Sequence, residues 1–226
     1  MKDDRPVVIF GNRSLASLAW YCLTHDSQHR VAGFTVDAAY CHTPLHEGLA
    51  VVPFEILESV FPPDAHLLLI ALGTTRINGL RRERYEQAKA RGYQFASYIS
   101  SRASVWPDLQ IGENCLIFEH AVIQPFATIG SNVIIRAGAN IGHHCMVESH
   151  CFIATEATFG GNANIGEQTF IGLGAIVRDG LRIAERTLVG AGAVVITDTE
   201  ADGVYIGNPA QRMTKSSFAA TERSGA

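Results

Sequence analysis

Between Val105 and Val195 a large apolar residue returns at every sixth position. Sixteen positions meet the rule; fifteen are Ile or Val, and Phe159 is the other. Four places further on, the residues are mostly small, as at Ala121, Ala127, Cys115, Cys145 and Cys151, with Leu109 and Leu181 the large exceptions. Glycine often follows the aliphatic directly, as at Gly112, Gly130, Gly142, Gly160, Gly166, Gly172 and Gly190. Neither an amphipathic helix nor an alternating strand has this period. A coil of three short strands does: one aliphatic per strand points inward, a small residue fits the narrow corner, and glycine tolerates the turn. The pattern predicts a left-handed parallel β-helix with about 18 residues per coil. The cysteines at small positions read as core filling. The phase never breaks, so a regular prism without a deep pocket is expected. A small-molecule site then needs a second wall from a neighbouring copy, which predicts a cyclic homotrimer.

Residues 1–98 follow another pattern. Apolar runs at 6–10, 31–36 and 67–72 read as buried strands, with a further strand over 95–99. Helical stretches are expected over 15–23, capped by Ser14, and over 77–91, stopped by Gly92. Strands alternating with helices predict a small α/β domain with a parallel sheet. Ligands of such sheets bind beyond the strands' carboxyl ends, here 11–14, Asp37 and 73–75. Gly11 supplies only the first glycine of a dinucleotide fingerprint, so NAD is rejected. The expected organisation is 1–98 as this domain, 99–215 as the β-helix and 216–226 as a disordered tail.

Eighteen basic and 22 acidic residues among 226 give a formal charge of −4. This balance, with no basic tract, argues against nucleic acid and membrane surfaces. No apolar run is long enough for a membrane span, and the amino terminus lacks the apolar region of a secretory signal. Five cysteines without a C-x-x-C disfavour disulfides and zinc ribbons. The expectation is a cytoplasmic protein.

Together with the α/β module and the repeat, Ile141-Gly-His-His-Cys145, Gly160-Gly-Asn162, Ile171-Gly-Leu-Gly-Ala175, Gly190-Ala-Gly-Ala193 and Gly207-Asn-Pro-Ala210 carry a resemblance. The chain resembles bacterial sugar acyltransferases of the sialic acid O-acetyltransferase type, from Val7 to about Met213. That family includes N-acetyltransferases of UDP- or dTDP-linked 4-amino-6-deoxy sugars. The resemblance implies acetyl transfer from acetyl-CoA without a metal, in lipopolysaccharide or O-antigen biosynthesis, with active sites between the coils of a trimer. It implies His143 as general base, with His144 standing where an orienting acid is expected. It puts acetyl-CoA contacts at Gly161, Leu173 and Ala191, and at Phe152, where the family has a histidine that touches the thioester, so that contact is lost or replaced here. It puts the sugar nucleotide at Asn12, Arg13, Ser14, Asp37, Ala38, Gly73, Thr74 and Thr75, with Arg13 suited to a phosphate.

The chemistry asks for a base to take the acceptor's proton, an oxyanion donor and alignment of two substrates. His143, two places after an inward aliphatic, should face outward beside Pro125 and Gly161. His120 and His150 read as structural or surface residues. Three alternatives stay open: O-acetylation of a sialic acid or similar sugar, a zinc carbonic-anhydrase-like enzyme, and a non-catalytic coil protein. No two histidines here are five residues apart, as that zinc site needs.

Overall fold

The computed structural model describes residues 4–222. The amino-terminal module contains β1 (Val7–Phe10), α1 (Ser14–Asp26), β2 (Val31–Val36), β3 (Leu45–His46), β4 (Leu49–Pro53), α2 (Leu57–Val60), β5 (Leu67–Ile70), α3 (Gly79–Ala90) and β6 (Gln94–Phe95). The sheet order is β3-β4-β2-β1-β5-β6, parallel except for the β3–β4 hairpin. Every residue of β1 and β5 is buried, as expected of unbroken apolar runs in a sheet covered on both faces. The chain leaves β1 for β2 on one side and returns to β5 on the other. The carboxyl end of β1 is therefore a topological switch point.

Three expectations are corrected here. Ser14 does not cap α1; Arg13 takes the cap position without a side-chain hydrogen bond, and Ser14 is the first helical residue. The strand expected over 95–99 is two strands: β6 ends the sheet, and β7 (Tyr98–Ile99) pairs with Leu116–Ile117 of the coil. The tail expected to be disordered over 216–226 contains α4 (Ser217–Thr221), capped by the Ser216 side chain. Thr221 Oγ1 accepts the Ile77 amide at 2.8 Å, which ties α4 to the segment entering α3. Residues 223–226 lie outside the described residues.

The coil has three walls of two-residue parallel strands. The first wall stacks Val122–Ile123, Asn140–Ile141, Thr158–Phe159, Ile176–Val177 and Val194–Val195. The second stacks Gln110–Ile111, Thr128–Ile129, Met146–Val147, Asn164–Ile165 and Arg182–Ile183. The third runs from β7 through Leu116–Ile117, Ile134–Ile135, Phe152–Ile153, Phe170–Ile171 and Leu188–Val189 to Val204–Ile206. These walls fit the left-handed coil that the six-residue spacing predicts. The inward aliphatics from Ile117 to Val195 form one buried core with the small corner residues. Cys115 and Cys151 fill that core, and burial pushes both thiols up to about 12.

The glycines after the aliphatics serve a different purpose from the one expected. Positive φ falls two places later, at residues such as Asn114, Phe126, Asn132, His144 and His150. At Gly112, Gly130, Gly142, Gly160, Gly166 and Gly172 an added Cβ would lie within 2.8 Å of a backbone nitrogen in the next coil. Glycine is required there by the close approach of stacked turns, not by the turn itself.

The amino-terminal module covers the third wall. Leu116, Phe118 and Ile134 join the apolar cluster of β1, α1 and β5. Arg81 of α3 is fully buried in this junction. It donates to the carbonyls of His150 at 2.8 Å and Cys151 at 3.0 Å, and to Asn132 Oδ1 at 3.2 Å. Among the described residues no helix is long and apolar enough to cross a membrane.

Candidate active site

The carboxyl ends of β1, β2 and β5 surround a cavity of about 650 Å³. Asn12, Arg13, Ser14, Asp37, Gly73, Thr74 and Thr75 all line it. The β1–α1 turn depends on Gly11, whose φ of +131° and close approach to the Ala71 carbonyl leave no room for a side chain. The first intrahelical bond runs from the Ala16 amide to the Arg13 carbonyl at 2.8 Å. The amides of Ser14 and Leu15 precede it, at the positive end of α1 on the cavity wall. Asn12 Nδ2 donates to the Tyr40 carbonyl at 3.2 Å, bracing the turn against the segment after β2. Ala38 does not line the cavity; its amide donates to the Glu55 carboxylate, at 3.1 Å to Oε1 and 3.0 Å to Oε2.

Asp37 has a partner that sequence reasoning missed. Arg84 of α3 donates from Nε to Oδ1 at 2.8 Å and from Nη2 to Oδ2 at 2.9 Å. The Asp37 carboxylate beside it raises the Arg84 guanidinium further. Glu83 accepts from Arg84 Nη1 at 2.7 Å and from Arg76 Nη2 at 2.5 Å. Hydrogen bonds from Arg76 and Arg84 hold its carboxyl below the usual range.

His143 and His144 occupy the prism edge between the first and second walls, and both side chains are exposed. Their Nδ1 atoms are 3.2 Å apart. The His143 amide donates to Gln124 Oε1 at 3.0 Å, and its carbonyl accepts the Asn162 amide at 2.8 Å. The imidazole lies over Gly161: a Cβ there would come within 2.4 Å of Cε1 and 2.5 Å of Nε2. His144 packs on Phe126, one coil below, with ring centroids 4.7 Å apart.

The other residues expected to meet acetyl-CoA are not all together. Leu173 and Ala191 are exposed and stacked on the edge between the third and first walls. Phe152 stands on the third wall, half-buried under the amino-terminal module. Its ring packs against Phe170, with Arg81 over it at 5.9 Å. His120 is exposed. His150 is buried, and Asn132 Nδ2 donates to its Nδ1 at 2.8 Å. Among the described residues no three His, Cys, Asp or Glu side chains are grouped as a metal site needs.

Solved structures share this arrangement across both modules. PerB from Caulobacter crescentus, in complex with CoA and GDP-perosamine, is 28% identical at a TM-score of 0.83, covering 92% of this chain and 97% of that one. A histidine-to-asparagine mutant of perosamine N-acetyltransferase from the same organism, with the same ligands, is 27% identical at 0.85, covering 93% and 97%. The acetyltransferase domain of PglB from Neisseria gonorrhoeae is 25% identical at 0.82, covering 92% and 100%. No curated protein matches the sequence. Within the coil, residues 108–143 match the family model described as bacterial transferase hexapeptide (six repeats).

Proposed function

We propose that this protein is an acetyl-CoA-dependent N-acetyltransferase acting on a nucleotide-linked amino sugar. The observation that carries the reading is the likeness, over 92% of the chain, to PerB holding CoA and GDP-perosamine. Both the cavity-bearing module and the histidine-bearing coil fall within that span.

In this reading the cavity at the β1 switch point takes the sugar nucleotide. The α1 amino terminus and Arg13 suit its diphosphate, and Asp37 and the 73–75 segment suit its nucleoside. As the acceptor amine nitrogen attacks the thioester carbonyl, His143 takes the proton that nitrogen sheds. Carbon–nitrogen bond formation precedes loss of the carbon–sulfur bond. The proton held on His143 is available to the departing thiolate. Gly161 leaves the imidazole room, and Leu173 and Ala191 offer an exposed track for pantetheine. A homotrimer completes the site. The His143 edge is opposite the wall that the amino-terminal module covers. A site joining the cavity to His143 therefore draws on a neighbouring copy. Acetylation of a 4-amino-4,6-dideoxyhexose belongs to surface-glycan assembly from cytoplasmic nucleotide sugars.

The test is acetyl-CoA-dependent thiol release with UDP-, dTDP- and GDP-linked 4-amino-4,6-dideoxyhexoses. Turnover with one of them is expected. Turnover only on a hydroxyl acceptor such as free sialic acid would replace this reading with O-acetylation.

A further inference from the structure

The 3.2 Å contact between the Nδ1 atoms of His143 and His144 requires one proton shared between two lone pairs. With both rings neutral, two arrangements satisfy it. In one, His143 donates Nδ1–H, His144 accepts at Nδ1 and carries its own proton on Nε2, and His143 Nε2 keeps a lone pair. In the other, His144 donates, His143 accepts at Nδ1, and the single proton of His143 sits on Nε2, where no base is left. The surroundings distinguish the two rings. The Cε1–Nε2 side of the His143 ring lies nearest the open backbone of Gly161. His144 is held from the side by the Phe126 ring, tilted 33° from it.

We propose that His144 is the positioning residue of the site. Its Nδ1 accepts the Nδ1–H of His143, selects that tautomer, and holds the His143 Nε2 lone pair toward the acceptor. This rests on the acetyl-transfer reading and assigns, within it, the task that a carboxylate would otherwise perform. An imidazole orients its neighbour without a fixed negative charge. The stacked corners facing the pair hold Gln124, Pro125 and Phe126 on one side and Gly161 and Asn162 on the other. None of these bears a charge; Asp179 is one coil beyond Gly161.

The corner tolerates the variants that test it. His144 has φ of +57°, a conformation Asn adopts readily. Phe126 holds the equivalent corner one coil below at φ of +66°. His144→Asn keeps an acceptor oxygen, and His144→Phe removes every acceptor while keeping an aromatic ring. Long-range proton–nitrogen NMR of the full chain at pH 8 reads the tautomers without any turnover. The expected spectrum has His143 protonated on Nδ1 and His144 on Nε2. In His144→Phe, His143 should lose its single Nδ1–H form. Its kcat should fall about tenfold or more at unchanged KM for both substrates, and His144→Asn should recover most of the loss. His143 protonated on Nε2 in the parent protein would overturn the proposal, as would full kcat in His144→Phe. The expected tautomers in a chain that transfers no acetyl group would uphold the pair and sink the acetyl-transfer reading instead.

Discussion

Arg84 grips both carboxylate oxygens of Asp37, although 47 residues separate them, with a planar fork that spans α3 and the end of β2. The geometry is the bidentate one that gives charge-assisted hydrogen bonds their direction. The grip turns Asp37 into a fixed acceptor at the cavity edge. Arg84→Gln should therefore raise KM for the nucleotide sugar about tenfold, on the order of 1.4 kcal/mol of binding. KM for acetyl-CoA and kcat should stay within about twofold. Steady-state kinetics with each substrate varied in turn measures this; equal effects on both KM values would show that Asp37 is not part of the acceptor site.

Gly161 and His143 are coupled by space alone. An alanine methyl at 161 would overlap three atoms of the imidazole, at 2.4 to 2.9 Å. The ring must swing away, and a misplaced base forfeits most of its effect. Gly161→Ala should lower kcat about a hundredfold. Its melting temperature should change little, because the displaced ring is exposed. Unchanged kcat with a displaced His143 resonance would argue that the ring does no proton transfer.

Arg81 holds the two modules together from inside. Burial pushes its guanidinium down to about 10, so it stays charged at neutral pH. It donates to the His150 and Cys151 carbonyls and to Asn132 Oδ1 in a buried junction. Arg81→Met keeps much of the volume and strands the His150 carbonyl, while the Cys151 carbonyl keeps the Ile134 amide at 3.1 Å and Asn132 Oδ1 keeps Asn114 Nδ2 at 2.8 Å. A loss of about 2–4 kcal/mol is expected by denaturant unfolding, less than the gross sum because the buried charge disappears with them. A loss below about 1 kcal/mol would contradict the role of the junction.

Acid should destabilise the fold in two stages. Burial, with Arg82 and Arg81 nearby, lowers the His150 imidazole to about 3. The unfolded chain binds that proton near pH 6.5 while the folded one refuses it, so stability falls as pH drops from about 6.5 toward 3. Asp26 follows. The Ser101 side chain, Tyr98 Oη at 2.6 Å, the Ser101 amide at 3.0 Å and Ser100 Oγ at 3.0 Å hold its carboxyl well below the usual range. Its contribution is present above the unfolded carboxylate pKa and is lost as pH falls below about 4. Thermal melts from pH 8 to 3 should show His150→Gln removing the first stage. Asp26→Asn should be less stable than the parent at pH 7, with the gap closing in acid. Parallel curves for all three proteins would refute both assignments.

The coil was legible because its signal repeats: each inward aliphatic is one reading of the same rule, and a prism has no other place for it. The purpose of Gly142 and Gly160 was not, since a six-residue period does not say which turn residue has positive φ and which meets the next coil. β3 escaped notice because a two-residue strand such as Leu45–His46, with Leu45 exposed, carries no periodicity. The cavity residues could be named from strand ends, but Arg84 could not. It belongs to an Arg- and Glu-rich helix that reads as solvated, and only the tertiary fold turns Arg81 inward and Arg84 toward Asp37. His143 and His144 were visible as a pair because they are adjacent; the 3.2 Å contact needed the corner that sets their backbone. The carboxyl tail read as disordered because its residues are small and polar. The Ser216 cap and the Thr221 contact to Ile77 show what that reading overlooked.

Whether His143 takes the amine proton in acetyl transfer to a nucleotide-linked amino sugar is read most directly from turnover. Thiol release from acetyl-CoA should be measured with the preferred amino sugar for the parent protein and for His143→Ala, at matched oligomeric state. Rapid release by the parent is expected, with a kcat lower by about 10²–10⁴-fold in the variant. Near-full turnover in His143→Ala, or no release and no acetyl-CoA binding by the parent, would contradict that role.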